Sequence, residues 1–327
     1  MENAKLLITF ACPPEIRKII EDLVGNRLTP LYFTDLKESD IDQAAHADYV
    51  LALNLHQEIP ETILEKAQWS FLQMVTAGVD HLHFSKLPNH FMVAGNSGAY
   101  AEPMAEHVLA MALALAKNLL LHHEKIKQGE FDQYGLNDTL RGKIFAVFGF
   151  GGIGKASARL MQCLSMKIYA VNRSGQSDEP VDWLGTTAEL PFLLQNADVL
   201  LIAAPLSKST YGAIGKKELD LMKENAMLIN VARGEIVDEQ ALYEHLLGHP
   251  HFKAGIDAWW VEPFRHGRFE MHYPFLSLPN VLGSPHNSGR VAGVFPKAVQ
   301  MAVNNLLAYL EKRPVKGMID RNEYIYT

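Results

Sequence analysis

Short apolar runs alternate with stretches of helical periodicity along the first third of the chain. The apolar runs predict strands at 5–10, 31–33, 49–53, 72–75 and 91–94. Amphipathic stretches at 15–24 and 61–67 lie between several of these runs and predict helices. Alternation of strands and helices is typical of a parallel sheet that helices cover on both faces.

The same alternation continues through the rest of the chain. The apolar runs there predict strands at 143–148, 167–171, 197–203, 226–230, 252–256 and 281–284. Helical periodicity predicts helices at 102–128, 154–165 and 291–310, and the first of these separates the two halves. Because a chain of 327 residues is about twice the length of a typical domain, we expect an α/β protein with two domains.

Composition narrows the class of protein. Apolar residues make up 48% of the chain, which suffices for full hydrophobic cores, and the formal net charge is -7. A phosphate backbone calls for a basic face, so this charge predicts no nucleic-acid partner. The two cysteines, Cys12 and Cys163, are far apart and fit neither a disulfide framework nor a metal site. We therefore expect a reducing cytoplasm and no metal.

Two apolar stretches have some of the character of a signal peptide or a membrane span. The run at 6–10 is too short for the central region of a signal peptide and precedes no small-residue cleavage site. The longest stretch, 104–121, is interrupted by Glu106, His107, Lys117 and Asn118. These interruptions indicate a buried helix, so we predict a soluble cytoplasmic protein with no membrane partner.

A glycine-rich loop joins the first strand and helix of the second half. Gly149, Gly151 and Gly154 fit the pattern G-x-G-x-x-G, with Gly152 and Ile153 between them. The loop follows a strand and opens a helix, which places backbone N–H groups where a pyrophosphate is stabilised. The alternative is an ordinary tight turn between strand and helix. In this context the pattern favours a dinucleotide site.

The end of the next strand indicates which dinucleotide is bound. NAD sites usually place an acidic residue about 20 residues after the loop, where it binds the ribose hydroxyls. Here the strand ends in Asn172, Arg173 and Ser174, and no carboxylate follows until Asp178. A guanidinium binds a 2′-phosphate through two hydrogen bonds. We therefore predict NADP(H) as the preferred cofactor and NAD(H) as an alternative, unless Arg173 is only a solvated surface charge.

Three residues that follow predicted strands are candidates for ketone reduction. Such a reaction needs a proton donor near the carbonyl oxygen and a cation that holds the substrate carboxylate. Histidine suits proton donation because its unperturbed pKa lies near neutrality, and His286 has Glu262 as a candidate partner. Arg233 supplies the cation. Each residue also has a structural interpretation: a turn histidine, a glutamate at a helix end, an arginine that caps carbonyls.

Several segments resemble the D-isomer-specific 2-hydroxyacid dehydrogenase family, in the family's order and over nearly the whole chain. Residues 230–242 resemble its arginine signature, 255–263 its glutamate segment and 280–286 its histidine segment. Residues 204–210 are similar to the loop beside the adenine ring, and 73–80 to the loop that holds the substrate carboxylate. Within the family, the chain resembles the glyoxylate/hydroxypyruvate reductase-like branch.

The resemblance implies a role for each matching residue. Arg233 would bind the carboxylate and carbonyl oxygen, and His286 would protonate the forming alkoxide with Glu262 as its partner. The backbone N–H groups of Ala77, Gly78 and Val79 would bind substrate together with Arg233 and His286. The remaining cofactor contacts would be Met104, Ala204, Pro205, Thr210, Val231, Ala232, Asp257 and Ser288.

The resemblance also implies an architecture. It predicts two Rossmann-like or flavodoxin-like domains with parallel sheets and a cleft between them. Residues 1–102 with 291–327 would form the substrate domain, and 103–290 the dinucleotide-binding domain. The long-helix region would form a homodimer. The predicted activity is NADP-linked reduction of a small 2-oxo acid to the D-2-hydroxy acid.

Two alternatives stay open on this scaffold. One is a phosphite- or formate-type dehydrogenase, and the other is a dinucleotide-sensing module without catalysis. The loop at 264–273 is richer in charge and histidine than the family leads us to expect. It is a solvated loop, part of a site for an anionic substrate, or the rim of a contact with a partner.

Overall fold

Two separate sheets organise the chain. The computed structural model describes residues 3–324, which divide into two units. The first unit contains the described residues up to Tyr100 and those from Val291 onward, and the second contains Ala101–Arg290. All strand pairs within both sheets are parallel. The predicted α/β class with two Rossmann-like domains is confirmed.

The elements are numbered in chain order. The strands are β1 (Lys5–Ile8), β2 (Thr29–Tyr32), β3 (Tyr49–Ala52), β4 (Phe71–Met74), β5 (Met92–Ala94), β6 (Ile144–Phe148), β7 (Lys167–Asn172), β8 (Trp183–Thr186), β9 (Val199–Ile202), β10 (Met227–Asn230), β11 (Lys253–Ile256) and β12 (Val281–Gly283). The helices are α1 (Pro14–Val24), α2 (Asp42–Ala45), α3 (Leu55–Glu58), α4 (Glu61–Lys66), α5 (Ala101–Ala116), α6 (Leu119–Lys127), α7 (Gly152–Cys163), α8 (Leu190–Asn196), α9 (Lys216–Leu219), α10 (Glu239–Gly248), α11 (Pro263–His266) and α12 (Val294–Leu310).

The first unit is a five-stranded sheet in the order β2-β1-β3-β4-β5. Its strands are mostly apolar on both faces because helices cover both faces, which is why residues 6–8 of β1 form an unbroken apolar run. One face packs on α1 and α12, through residues such as Ile20 and Val303. The other packs on α4 and the segment after it, through Ile63 and Trp69.

The second unit is a seven-stranded sheet in the order β12-β11-β10-β9-β6-β7-β8. The order runs in opposite directions on the two sides of the β6–β9 pair. In open parallel sheets, ligands bind beyond the carboxyl ends of the strands at this reversal. The segments that follow β6, β7, β9, β10, β11 and β12 therefore lie at one edge of this sheet, the edge at which the functional residues are predicted.

The predicted single helix at 102–128 is wrong. Two helices, α5 and α6, occupy that range and are bent by 57° relative to each other. Asn118 lies between them with φ +48°, a left-handed conformation that asparagine adopts more readily than most residues. Its side-chain amide donates to Asn137 Oδ1 at 3.1 Å, which holds the bend. Helical periodicity continues through this residue, so the pattern alone gives no sign of the break.

Strand β8 is an element that the hydrophobic pattern did not predict. It lies at the sheet edge and pairs only with β7 among the described strands, with Asn172 opposite Thr186. It contains Gly185 and is only partly buried, so its sequence lacks a strong apolar run. A short edge strand of this kind is defined by its neighbour more than by its own propensity.

Helices α5 and α6 are also the apolar stretch considered for a membrane span. Within residues 3–324, no single helix has the length and apolar character to cross a bilayer. The two helices meet the length and composition requirement only as a pair across their 57° bend. Half of the α5 residues, including Met104 and Val108, are buried in the structure.

Candidate active site

The glycine-rich loop has the close packing that its sequence predicts. Gly149 has φ +102°, and a Cβ on it would lie 2.6 Å from the carbonyl carbon of Ala203. A Cβ on Gly154 would lie 2.6 Å from the carbonyl oxygen of Gly149. Both approaches are shorter than real Cβ contacts, so any side chain at either position would displace backbone. The turn from β6 into α7 therefore requires glycine at both positions.

Gly151 has a different environment from these two glycines. It is exposed, and a Cβ built on it would meet no atom within 4 Å. Helix α7 begins at Gly152, two residues earlier than predicted, which brings the N–H groups of Gly152 and Ile153 into its first turn. These groups have no acceptor within the helix, and the helix dipole favours an anion there. A dinucleotide pyrophosphate fits this open space above the helix N-terminus.

The loop after β7 is organised by one asparagine side chain. Asn172 Oδ1 accepts a hydrogen bond from the Gly175 N–H at 2.7 Å, and Asn172 Nδ2 donates to Gln176 O at 2.8 Å. Ser174 Oγ lies 3.2 Å from the same Asn172 oxygen. Asn172 and Ser174 thus shape the loop, and Arg173 lies at its exposed surface.

A charge pair follows this loop. Lys155, in the first turn of α7, forms an ion pair with the exposed carboxylate of Asp178. The Lys155 ammonium holds the pKa of Asp178 below its usual value. The first acidic residue after Asn172 is therefore paired with a cation from the helix.

The loop after β9 packs on the glycine-rich loop. Ala204 is one of the residues against which Gly149 lies. Thr210 Oγ1 donates to Pro205 O at 2.6 Å and accepts from the Ser207 N–H at 2.8 Å. The Thr210 hydroxyl therefore closes the loop that carries Ala204 and Pro205.

Arg233 follows β10 in a turn that Asn230 holds. Asn230 Nδ2 donates to Arg233 O at 2.8 Å, and Asn230 Oδ1 accepts from the Ala232 N–H at 3.0 Å. Val231 and Ala232 are buried beneath the turn. A Cβ on the next residue, Gly234, would lie 2.5 Å from the backbone of Trp259, so the arginine turn packs directly on the segment that leads to the glutamate.

Glu262 and His286 form a close pair although 24 residues separate them. His286 Nδ1 lies 2.8 Å from Glu262 Oε1 and 2.7 Å from Glu262 Oε2. The carboxylate is buried, and the imidazole is more exposed than its partner. Because Nδ1 faces the carboxylate, Nε2 is the ring nitrogen left to exchange a proton with a ligand.

Trp259 holds both members of this pair from one side. Its backbone N–H donates to Glu262 Oε1 at 2.6 Å, and its indole N–H donates to Ser284 O at 2.8 Å, two residues before His286. His286 itself has φ +48°, an uncommon conformation for a residue with a side chain. Contacts on both flanks therefore fix the position of the imidazole.

Asp257 and Ser288 lie beside the pair and offer polar groups that could hold the nicotinamide end of a cofactor. The Asp257 side chain is fully buried and accepts from the Ser288 N–H at 3.4 Å. The Ser288 hydroxyl is also buried, and it has no hydrogen-bond partner among the described residues. An amide group bound here would satisfy that hydroxyl, and the predicted dinucleotide supplies one. Met104 of α5, another predicted cofactor contact, is buried in the same unit.

The predicted substrate-binding loop follows β4 in the first unit. Its carbonyl groups are engaged: Asn96 donates from Nδ2 to Val75 O at 3.0 Å and from its backbone N–H to Thr76 O at 2.8 Å. Thr76 Oγ1 donates to Gly78 O at 2.9 Å. Within residues 3–324 no acceptor lies on the N–H groups of Ala77, Gly78 and Val79. These three donors are the kind of group that binds a carboxylate.

The segment after β3 lies beside this loop in the same sheet. Its His56 accepts a hydrogen bond from the His83 N–H at Nε2 (2.9 Å) and stacks on the His83 ring. Burial lowers the pKa of His56 to about 4, so the imidazole is neutral at pH 7. His56 therefore adds no positive charge to the substrate-binding loop.

The loop at 264–273 carries its charges in pairs. The cations and their carboxylate partners are Arg265 with Glu235 at 2.5 Å, Arg268 with Glu270 at 2.9 Å and His272 with Glu239 at 2.7 Å. His266 Nδ1 accepts from the Glu262 N–H at 3.0 Å. The loop is thus tied to the arginine turn and to Glu262. Among the described residues, no three His, Cys, Asp or Glu side chains are grouped as a metal site requires.

Four residues at this site were not singled out from the sequence: Asn230, Trp259 as a hydrogen-bond donor, Ser284 and His107. Each of them contacts another residue of the site, so in the sequence each looks like an ordinary turn or core residue. Asn230 is the one with a local signal, because an asparagine at a strand end commonly bonds the backbone of the following turn. The other three are identified only by contacts across the fold.

Comparison with known proteins agrees with this geometry. The family model for the NAD-binding domain of D-isomer-specific 2-hydroxyacid dehydrogenases matches residues 109–288, more than half of the chain. A hydroxypyruvate reductase of Thermotoga maritima is 31% identical over 212 residues, covering 64% of this chain and 67% of that protein. A D-3-phosphoglycerate dehydrogenase of Methanocaldococcus jannaschii is 27% identical over 323 residues, covering 97% of this chain but 59% of that protein.

Solved structures agree over the whole chain. A candidate formate dehydrogenase from Pyrobaculum aerophilum is 29% identical, with a TM-score of 0.81, and the match covers 98% of this chain and 100% of that one. The fold, the order of the motifs and the family match lead to one conclusion. The chain belongs to the D-isomer-specific 2-hydroxyacid dehydrogenases, a family of oxidoreductases.

Proposed function

We propose that the protein reduces a small 2-oxo acid to the D-2-hydroxy acid with NADPH. The pairing of His286 Nδ1 with Glu262 at 2.7 Å carries this proposal, because it builds an oriented proton donor at the sheet edge where the glycine-rich loop lies. Arg233 supplies a cation at the same edge. The second unit would bind the dinucleotide, and the first would bind the substrate. The D configuration follows the family.

The chemistry divides between cofactor and protein. The reduced nicotinamide supplies a hydride to the keto carbon. Arg233 would hold the substrate carboxylate and polarise the keto group, and the free N–H groups of Ala77–Val79 would bind the same carboxylate. His286 would deliver a proton from Nε2 to the oxygen as the carbon accepts the hydride. Glu262 orients the imidazole and stabilises its charged form before the transfer.

The choice of NADPH is supported by the loop after β7. Asn172 holds a turn that presents the exposed Arg173, and Ser174 lies in the same turn. The nearest carboxylate that follows along the chain, Asp178, is paired with Lys155, which supports this choice. NAD(H) lacks the 2′-phosphate that a guanidinium would bind, so we expect it to be the weaker cofactor.

The substrate class is supported by the way charge is distributed. Arg265, Arg268 and His272 each have a carboxylate partner, so the 264–273 loop offers no obvious binding site for a second anionic group. This favours substrates whose single anionic group is the carboxylate, such as glyoxylate and hydroxypyruvate, over phosphorylated ones. A relative that is 31% identical bears the name hydroxypyruvate reductase.

Formate oxidation is the rival reaction with a specific observation in its favour, the likeness to the Pyrobaculum protein. Formate gives up a hydride to become carbon dioxide and exchanges no proton with an acid or base. In our proposal the buried Glu262 carboxylate orients His286 for proton transfer. Formate oxidation would not need this pair, because it transfers no proton to or from an acid or base. A sensing module would likewise have no need of an oriented proton donor.

The proposal is tested by following NADPH and NADH oxidation across a panel of 2-oxo acids, with formate and phosphite tested in the oxidative direction. We expect turnover with NADPH and with glyoxylate or hydroxypyruvate, and kcat/KM at least about tenfold lower with phosphorylated 2-oxo acids. Activity confined to formate or phosphite would replace the proposed reaction. Tight NADPH binding without turnover of any substrate would indicate the sensing module.

We further propose a homodimer formed through α6 and the segment after it. Large apolar side chains are exposed there: Leu119 56%, Ile126 60%, Phe131 80%, Tyr134 85% and Leu136 94%. Exposure of this much apolar surface in one region is typical of an association site. A second copy of the chain would bury it, as the family implies.

The dimer is tested by light scattering on the wild-type protein and on the double variant Phe131→Asp, Leu136→Asp. We expect a dimer that becomes a monomer in the variant, because two charges would be buried without partners. Tyr211→Asp is the matched control, since Tyr211 is 61% exposed outside this segment and should leave the dimer intact. A monomeric wild-type protein would refute the assembly.

A further inference from the structure

The segment that carries His286 is anchored to a buried carboxylate. Asp257 has no exposed surface, and its Oδ1 accepts from the Ser284 hydroxyl at 2.6 Å and from the Asn287 N–H at 3.3 Å. Its Oδ2 accepts from the Ser288 N–H. These contacts flank His286 on both sides. They oppose relaxation of its left-handed backbone, a conformation that is unfavourable in a residue with a side chain.

A histidine from a different element completes this arrangement. His107 of α5 places Nε2 3.0 Å from Ser284 Oγ and 3.7 Å from Asp257 Oδ1. A serine hydroxyl has one hydrogen, and the short contact to Asp257 places it on the carboxylate side. His107 Nε2 must therefore carry a proton and donate it to Ser284 Oγ. The chain of donors runs from His107 through Ser284 to Asp257.

We propose that His107 is a positioning residue for the proton donor, acting through Ser284 and Asp257 on the segment that holds His286. The proposal rests on the proposed function, since it assigns His107 a part in presenting His286 to substrate. A buried carboxylate is stable only when its oxygen lone pairs accept hydrogen bonds. The Ser284 hydroxyl donates one of these bonds to Asp257, and His107 fixes the orientation of that hydroxyl. Loss of this donor would free the Ser284 hydroxyl to rotate and loosen the anchor.

The test compares two substitutions at one position. His107→Leu removes the donor and keeps an apolar side chain, whereas His107→Gln retains an N–H donor at nearly the same reach. We expect His107→Leu to lower kcat by about 10- to 100-fold, because a misplaced proton donor slows the transfer, while the KM for NADPH changes by less than about threefold. His107→Gln should recover most of kcat. Glu106→Gln, at the exposed neighbouring residue, is the matched control and should change neither constant.

Two further measurements separate positioning from general destabilisation. Ser284→Ala should lower kcat to a similar extent. The double variant with His107→Leu should be no slower than the worse single variant, because both substitutions interrupt the same series of hydrogen bonds. Hydrogen exchange should show the Asn287 and Ser288 amides opening at least about tenfold more often in His107→Leu. If His107→Leu fails to fold, Ser284→Ala and His107→Gln carry the same comparison.

The outcomes distinguish this proposal from the proposed function. Wild-type kcat in His107→Leu, or independent losses in the double variant, would overturn the positioning role. Unchanged exchange at Asn287 and Ser288 would also overturn it. If the wild type reduced no 2-oxo acid while the Asn287 and Ser288 amides still exchanged faster in His107→Leu, that result would support the positioning role of His107 and refute only the proposed reaction.

Discussion

Replacing His286 by alanine is expected to lower kcat for 2-oxo acid reduction by about a thousandfold, within the range that removal of a general acid produces. The reason is geometric as well as chemical. Nδ1 lies against the Glu262 carboxylate at 2.7 Å, which leaves Nε2 as the only ring nitrogen of His286 that can protonate the alkoxide. Water would have to replace an acid that is held in position by contacts on both flanks.

The same measurement on Glu262→Gln separates orientation from charge. Glutamine can keep a hydrogen bond to Nδ1 but does not stabilise the imidazolium, so we expect a loss smaller than that of His286→Ala, about 10- to 100-fold. The Kd for NADPH, measured by fluorescence, should stay within about threefold of the wild type in both variants.

His272→Ala is the matched control for the histidine. His272 is exposed, and its own carboxylate partner, Glu239, belongs to α10, outside the His286–Glu262 pair. Its removal should leave kcat within about twofold of the wild type. If His286→Ala kept more than a tenth of the wild-type kcat, the proton donor would have to be another group.

Arg173→Asp is expected to raise the KM for NADPH about a hundredfold and to leave the KM for NADH nearly unchanged. A charge-assisted hydrogen bond to a phosphate contributes about 1.5–3 kcal/mol, and reversal of the charge adds repulsion. About 3 kcal/mol in total corresponds to the hundredfold change. Steady-state kinetics with both dinucleotides at saturating 2-oxo acid measure it.

Arg141→Asp supplies the control for Arg173. Arg141 is also an exposed arginine of the second unit, and it lies just before β6, at the amino ends of the parallel strands. Reversing its charge changes the net charge of the unit by the same amount at the sheet edge opposite the loop after β7. An equal rise in the KM for NADPH in both variants would show that the effect is long-range electrostatics. No rise in Arg173→Asp would show that Arg173 does not bind the cofactor.

Much of the fold could be predicted because its signals are local. Strands buried on both faces are apolar at nearly every position, so β1, β6 and β9 stand out in the sequence without any knowledge of their partners. Gly149 and Gly154 are equally clear, since the turn into α7 has no space for a side chain at either position. Both kinds of signal concern what one stretch of chain can and cannot adopt.

The bend at Asn118 and the edge strand β8 could not be predicted in this way. Helical periodicity does not change across Lys117 and Asn118, and the bend is held by a hydrogen bond to Asn137, 19 residues further along. Strand β8 is formed by pairing with β7 and has no strong apolar run of its own. In both cases a partner that is distant in sequence decides the local conformation.

The candidate site shows the same difference between local sequence signals and contacts across the fold. By itself the sequence determined the chemical groups and the edge at which they collect: a glycine loop for a dinucleotide, an arginine, a glutamate and a histidine, each in a segment that follows a strand of one parallel sheet. Only the tertiary structure decided how those groups are held. The 2.7 Å contact between His286 and Glu262, the clamp by Trp259 and the chain from His107 through Ser284 to Asp257 join residues up to 177 positions apart. Hydrogen bonds are satisfied in three dimensions, and a buried carboxylate takes its donors from whichever elements the packing brings within reach.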